Sequence, residues 1–364
     1  MTKTLIYSCV FFNETYIHLL SLLLRSYKLF GNPSDNVDYL VICNTDFRER
    51  IEATFDSLDI SGDVWCLDLK TMFEAGFSRL RIFDYQNINI YNKLLYLDCD
   101  ILVTNSVKSI LDFPLENKLH ALEEGNTNHG YWGSQFFDKN PNCPAFTSGA
   151  LLFSNNAVVK DLFSRILLHI HNHVTSGLPI PRCLDQPFIV YHAVKDNLYD
   201  NQKLINTVVN NPNADDPWRP KHAPSCYNGQ TICHFPGGPG DADAKIRKMR
   251  HFMNDVMFNV QFPINRKSIS KPSISFVASF HNECPLLNKT YIWENSNIEF
   301  LESGKMKAFG LGKYRFIDKH LVKCDFGNRE HLLKFDKDYS NFISVRKGDF
   351  AVVAGNILQN SVHA

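Results

Sequence analysis

The chain begins with a mostly apolar run, "TLIYSCVFF" (4–12), whose lack of strict alternation predicts a strand buried on both faces. The next stretch, "TYIHLLSLLLRSYKLF", spaces its apolar residues along one face of an amphipathic helix. "VDYLVICN" (37–44) predicts a second strand, followed by a polar helical run near 46–58. Then come "DVWCLDL", a helix through "RLRIFDY" and another buried strand, "KLLYLDCDILV". A Gly- and Asn-rich loop (125–134) leads to "AFTSGALLFS" (145–154), a long helix over about 156–173, and "CLDQPFIVYHAV". Strands that alternate with helices and consist of near-continuous Val, Ile and Leu predict an α/β fold. Its sheet is mainly parallel and flanked by helices.

The pattern changes late in the chain. Residues 206–231 are loop-rich and end at "TICHFPGGPGDADAK", after which a basic helix runs to about 258. "PINRKSISKPS" (263–273) reads as a linker. Beyond it the segments are short, alternate in polarity and are punctuated by Gly, Asn and Asp, which predicts a small antiparallel all-β domain, sandwich or barrel-like, of seven or eight strands. The expected organisation is therefore a catalytic-sized domain over 1–262, a linker over 263–273 and an accessory β-domain over 274–364.

Composition narrows the partners. The 38 basic and 38 acidic residues balance, so no net field favours nucleic acid or a membrane surface. The N-terminal apolar run is too short to span a bilayer and lacks a small-residue cleavage site. Ten cysteines are scattered with no C-x-x-C pair, which reads as reduced thiols and a cytoplasmic protein. The sequons at Asn13 and Asn288 are then expected to be unused. Oligomeric state is not readable from these features, and a homo-oligomer stays open.

The candidate chemistry starts at Asp98 and Asp100, two carboxylates where the apolar strand "KLLYL" runs out. In α/β sheets ligands bind outside the carboxyl ends of strands. Two close carboxylates repel unless a cation sits between them, so this pair predicts a divalent metal site. The alternative is a strand-end turn whose acids cap the next helix. The acid pairs Asp241/Asp243 and Asp336/Asp338 lie in polar contexts and read as solvated turns. His234 precedes a Gly/Pro turn containing Gly237, Gly238 and Gly240, whose backbone N–H groups can approach phosphate oxygens, with Lys245 adding charge. An imidazole with two carboxylates favours Mn²⁺ over Mg²⁺, with a diphosphate completing the shell.

Five fragments in order, "FSRLRIFDY", "KLLYLDCDILV", "AFTSGALLFS", "CLDQPF" and "HFPGGPG", resemble the glycogenin-like family 8 retaining glycosyltransferases of GT-A fold, over about residues 1–260. The resemblance implies that Asp98, Asp100 and His234 bind Mn²⁺ with the diphosphate of a UDP-sugar. It implies that Arg79 lies beside the donor sugar and phosphates, and that Phe11, Phe12, Asn13 and Tyr16 cradle the uracil. Ser148 and Gly149 match the family's Asn-Ser-Gly turn against the sugar. Asp185 and Gln186 match its Asp-Gln pair under the anomeric carbon. Cys99, between the two acids, falls within the same donor-binding stretch but reads as a small buried spacer. Thr147 stands where the family has Asn, and Gly240 stands at the offset of the family's lysine, which leaves phosphate charge to Lys245 or to backbone amides.

The resemblance implies a metal-dependent retaining transfer of a hexose or related sugar from a UDP-sugar to a hydroxyl acceptor on a glycan, protein or small molecule. Same-face attack is favoured over a glycosyl-enzyme, with Asp185 and Gln186 the nearby side chains. A sugar-nucleotide hydrolase or nucleotidyltransferase, and a non-catalytic sugar-nucleotide-binding protein, are the alternatives. His169, His171 and His173 read as helix-terminal residues rather than a metal cluster. Trp132 is open between an acceptor groove and loop packing. Trp293, Tyr314 and Phe326 read as the inner face of the β-domain in preference to a sugar platform.

Overall fold

A computed structural model of the chain describes residues 3–137, 142–212, 227–237, 241–258, 284–287, 289–293, 296–308, 310–326 and 329–358. These fall into two compact units: Met1–Phe55 with Ile60–Met249, and Asp56–Asp59 with Arg250–Ala364. The linker expected over 263–273 lies outside the described residues.

The first unit carries strands β1 (Lys3–Val10), β2 (Val37–Cys43), β3 (Gly62–Cys66), β4 (Tyr91–Leu97), β5 (Ile101–Val103), β6 (Leu119–Asn126), β7 (Pro144–Ser154), β8 (Tyr199–Asp200), β9 (Val208–Asn210) and β10 (Ile232–His234). Its helices are α1 (Glu14–Phe30), α2 (Arg48–Ser57), α3 (Met72–Phe77), α4 (Lys108–Leu111), α5 (Ala157–Thr175), α6 (Gln186–Lys195) and α7 (Ala242–Phe252), of which the last residues of α2 and of α7 are grouped with the second unit. Seven strands form one sheet in the order β3-β2-β1-β4-β7-β6-β8. The half from β3 to β4 is parallel, as expected from its apolar strands. In the other half β7 runs antiparallel to both neighbours, so the sheet is mixed. The result is an α/β unit in which Leu5, Tyr7, Leu94 and Phe153 share one face of the sheet and pack in a common core with Phe163 of α5 and Phe188 of α6.

Two local departures from the sequence pattern shape the site. "KLLYLDCDILV" is not one strand: β4 stops at Leu97 in the large sheet, and β5 starts at Ile101 in a separate three-stranded sheet, β5-β10-β9. Asp98-Cys99-Asp100 is the joint between them. The expected helix through "RLRIFDY" is a 3₁₀ segment, Ser78–Asp84. The Tyr7 hydroxyl donates to the Arg79 carbonyl of this segment at 3.1 Å, and the Ser78 hydroxyl donates back to the Ala75 carbonyl of α3 at 2.7 Å.

The second unit is a closed antiparallel barrel of β11 (Thr290–Trp293), β12 (Ser296–Leu301), β13 (Lys305–Lys307), β14 (Leu311–Asp318), β15 (Leu321–Phe326), β16 (Arg329–Phe335), β17 (Asn341–Arg346) and β18 (Val352–Ile357). β18 pairs back onto β11, which resolves the sandwich-or-barrel alternative. Closure removes free strand edges. Trp293 and Phe326 are buried in its aromatic core with Tyr291, Phe300, Phe335 and Phe342, and Tyr314 packs against them. These rings are core, not an exposed platform. Asp336 binds the backbone N–H and hydroxyl of Ser340 as a turn acid.

Candidate active site

Strand ends of the first unit converge on a cavity of about 440 Å³. β1 delivers Phe11, and the first turn of α1 delivers Tyr16. The joint after β4 delivers Asp98 and Asp100, β7 delivers Ser148 and Gly149, and α6 opens with Gln186 directly after Asp185. The small sheet brings His234, since β10 pairs antiparallel with β5 and sets His234 opposite Ile101, the neighbour of Asp100.

One ligand atom each of Asp98, Asp100 and His234 lies within 4.8 Å of the others. Asp100 Oδ1 is buried and accepts no hydrogen bond, and His234 Nε2 is 3.3 Å away. An orphaned buried carboxylate oxygen beside an imidazole nitrogen and a second carboxylate is a donor set that a divalent cation satisfies. The residues therefore fit the expected ion. Gly149 makes room for the imidazole, because a Cβ there would sit 2.7 Å from His234 Nε2.

Lys245 reaches the same site, with Nζ 2.7 Å from Asp100 Oδ2. Burial pushes the Asp100 carboxyl up, but Lys245 and His234 outweigh it and hold the group well below the usual carboxylate range. Burial lowers His234 in turn, yet the Asp100 carboxylate raises it above its ordinary value. Lys245 thus balances the charge of the Asp100 carboxylate directly.

Arg79 organises the opposite wall. Its guanidinium donates from Nη1 to the Ser148 carbonyl at 2.8 Å and to Asp98 Oδ1 at 3.3 Å. Nη2 donates to Asp185 Oδ1 at 3.2 Å, and Nε lies 3.0 Å from Asp185 Oδ2. Tyr96 completes the cage: its ring lies 4.6 Å from the guanidinium carbon, and its hydroxyl donates to Asp98 Oδ1. Burial raises the Asp185 carboxyl to about 6, against the pull of Arg79 and with a further push from Asp98. The Gln186 amide oxygen accepts from both Ser148 N and Ser148 Oγ at 3.2 Å, which leaves Nε2 as the donor that Gln186 offers the cavity.

Of the residues singled out in the sequence, Phe11, Tyr16, Arg79, Asp98, Cys99, Asp100, Ser148, Gly149, Asp185, Gln186, His234, Gly237 and Lys245 all line this cavity. Phe12 and Asn13 do not: Asn13 caps α1 by accepting from Thr15 N at 2.9 Å, and the Phe12 backbone is held by Asn44. Gly238 and Gly240 lie outside the described residues. Cys99 donates its thiol to the Cys9 carbonyl and is buried, as a spacer should be. Trp132 lines the cavity, beside Tyr131 and Glu124. Tyr96 is a lining residue that the sequence motifs did not single out. It stands two residues before Asp98 and was legible by that spacing.

The histidines of α5 do other work. His169 shares a 3.0 Å hydrogen bond with His192 of α6, and His173 contacts the Pro179 carbonyl at 2.9 Å. Among the described residues, Asp98, Asp100 and His234 are the one cluster of three or more such side chains that could hold a metal ion. The nine described cysteines are all free thiols, and no described helix is long and apolar enough to cross a membrane.

Comparison with known proteins yields one family. A model described as glycosyl transferase family 8 matches residues 47–195, so the resemblance read from the motifs is borne out over that segment. No curated protein matches the chain. Among solved structures, the glycosyltransferase GlyE of Streptococcus pneumoniae TIGR4 aligns at 15% identity and a TM-score of 0.42, covering 68% of this chain and 60% of its own. The bifunctional glycosyltransferase WbbM aligns at 14% and 0.45, covering 68% and 50%. The galactosyltransferase LgtC, solved with donor and acceptor sugar analogues, aligns at 16% and 0.45, covering 67% and 95%. The chain thus spans 60% and 50% of the lengths of GlyE and WbbM.

Proposed function

We propose that this chain is a family 8 glycosyltransferase that moves a hexose or related sugar from a UDP-sugar to a hydroxyl acceptor with retention, using a divalent cation. The observation that carries the reading is a single cavity in which Asp98, Asp100 and His234 converge within 4.8 Å beside the Arg79–Asp185 clamp.

Asp98, Asp100 and His234 would hold Mn²⁺, with Mg²⁺ the harder alternative for the same set. A cation bound there supplies positive charge to the diphosphate as the sugar–phosphate bond breaks. Lys245 and the backbone at Gly237 sit where they can bind phosphate oxygens, and Phe11 and Tyr16 offer aromatic surface for the base. Arg79 orients Asp98 and Asp185 together. Asp185 is buried and held by Arg79 at both carboxylate oxygens, an environment that supports orientation more than nucleophilic attack. With Gln186 held through its amide oxygen, this arrangement supports attack by the acceptor on the face the phosphate leaves.

A panel of UDP-sugars incubated with Mn²⁺ or with chelator, with UDP release measured, tests the reading. Wild type should release UDP from at least one donor only with metal, and Asp100→Asn should lose that release. Metal-independent or absent release across the panel would overturn it. A glycosyl adduct on Asp185 found by mass spectrometry would replace same-face attack with a two-step route.

A further inference from the structure

Asn210 is buried at the end of β9, in register with His234 across the parallel pair of β9 and β10. Facing residues of neighbouring strands project to the same side of a sheet. Here both side chains meet: Asn210 Oδ1 lies 2.8 Å from His234 Nδ1. The other ring nitrogen, Nε2, faces Asp100 Oδ1 at 3.3 Å. The Asn211 backbone N–H donates to the His234 carbonyl at 2.8 Å, so the strand that carries Asn210 is also tied to the His234 main chain.

We propose that Asn210 is a positioning residue that fixes His234 as a metal ligand. The inference rests on the proposed metal centre. An amide oxygen can only accept, so Nδ1 must carry the hydrogen. The Nε2 lone pair is then directed at the site shared with Asp98 and Asp100. Without that partner the ring is free to take the other tautomer, in which an Nε2–H donates to Asp100 Oδ1 and blocks the ligand position. Outer partners of this kind set ligand orientation, and their loss typically weakens metal binding by about 10- to 100-fold.

The test uses the full chain and Mn²⁺ alone, with binding read by calorimetry. Asn210→Leu should weaken Mn²⁺ binding by at least about tenfold. Asn210→Asp, which keeps an acceptor oxygen, should stay within a few-fold of wild type. Equal binding by wild type and Asn210→Leu would overturn the proposal while leaving the metal centre standing. Absence of binding in wild type would instead remove the metal centre and the proposal with it. A second readout needs no variant at Asn210: nitrogen-detected NMR of metal-free wild type above the pH at which His234 loses its second proton, assigned with His234→Gln. It should show an Nδ1-protonated ring, and an Nε2-protonated ring would overturn the proposal even if Asn210→Leu fails to fold.

Discussion

Arg79 and Asp185, 106 residues apart in sequence, meet as a buried ion pair with Nε 3.0 Å from Oδ2 and Nη2 3.2 Å from Oδ1. Removing one member strands the other charge in a low-dielectric wall. Arg79→Met should therefore lower stability by about 3–5 kcal/mol in urea unfolding. Arg79→Met combined with Asp185→Leu should recover much of that loss, because the stranded carboxylate is gone.

The raised Asp185 carboxyl gives a pH signature. Its folded value is about 6, above the ordinary carboxyl value near 3.8. Between these values the folded protein binds more protons than the unfolded chain, so this group's contribution to stability is fully present below the lower value. It is lost as pH rises through the higher one. Asp185→Asn should flatten that part of the stability profile between about pH 4 and 6, and urea midpoints of the two proteins across the window measure the difference.

Lys245 holds Asp100 Oδ2 at 2.7 Å, where it competes with any cation for that carboxylate. Lys245→Met should tighten Mn²⁺ binding in the absence of nucleotide, by about tenfold or ~1.4 kcal/mol. The same variant should weaken UDP binding in the presence of Mn²⁺. Calorimetry on both ligands reads the opposed signs, and a loss of affinity for both would contradict the competition.

Gly149 gives a separable effect. The three atoms nearest a Cβ built there all belong to the His234 ring, so the overlap falls on the proposed ligand. Gly149→Ala should cost metal affinity more than stability, seen as a large fall in Mn²⁺ binding with a melting temperature shifted by only a few degrees, or about 1 kcal/mol.

Much of this site was legible because its residues sit in fragments with their own local pattern. Asp98 and Asp100 stood out as acids at the end of an apolar strand, and His234 as a histidine before a glycine-rich turn. The parallel half of the sheet was readable from runs such as "VDYLVIC". What escaped depends on which strand lies beside which. β7 reads as an apolar strand, but nothing local shows that it inserts antiparallel between β4 and β6. Asn210 looks like one more residue of an Asn-rich loop until β9 docks next to β10. The break at the aspartate joint was hidden for the opposite reason, since the apolar residues on both sides of it read as a single strand.

That joint has a consequence for how the molecule comes together. Asp98 closes a strand of one sheet and Asp100 precedes a strand of another, and His234 reaches them only after β10 has zipped onto β5. The ligand set is therefore absent from any partly assembled chain and has to await the closure of a long loop. A cation captured by it would reward the finished structure alone, and so act as a latch. Its signature would be kinetic: unfolding slowed and melting temperature raised by Mn²⁺, with the rate of folding unchanged.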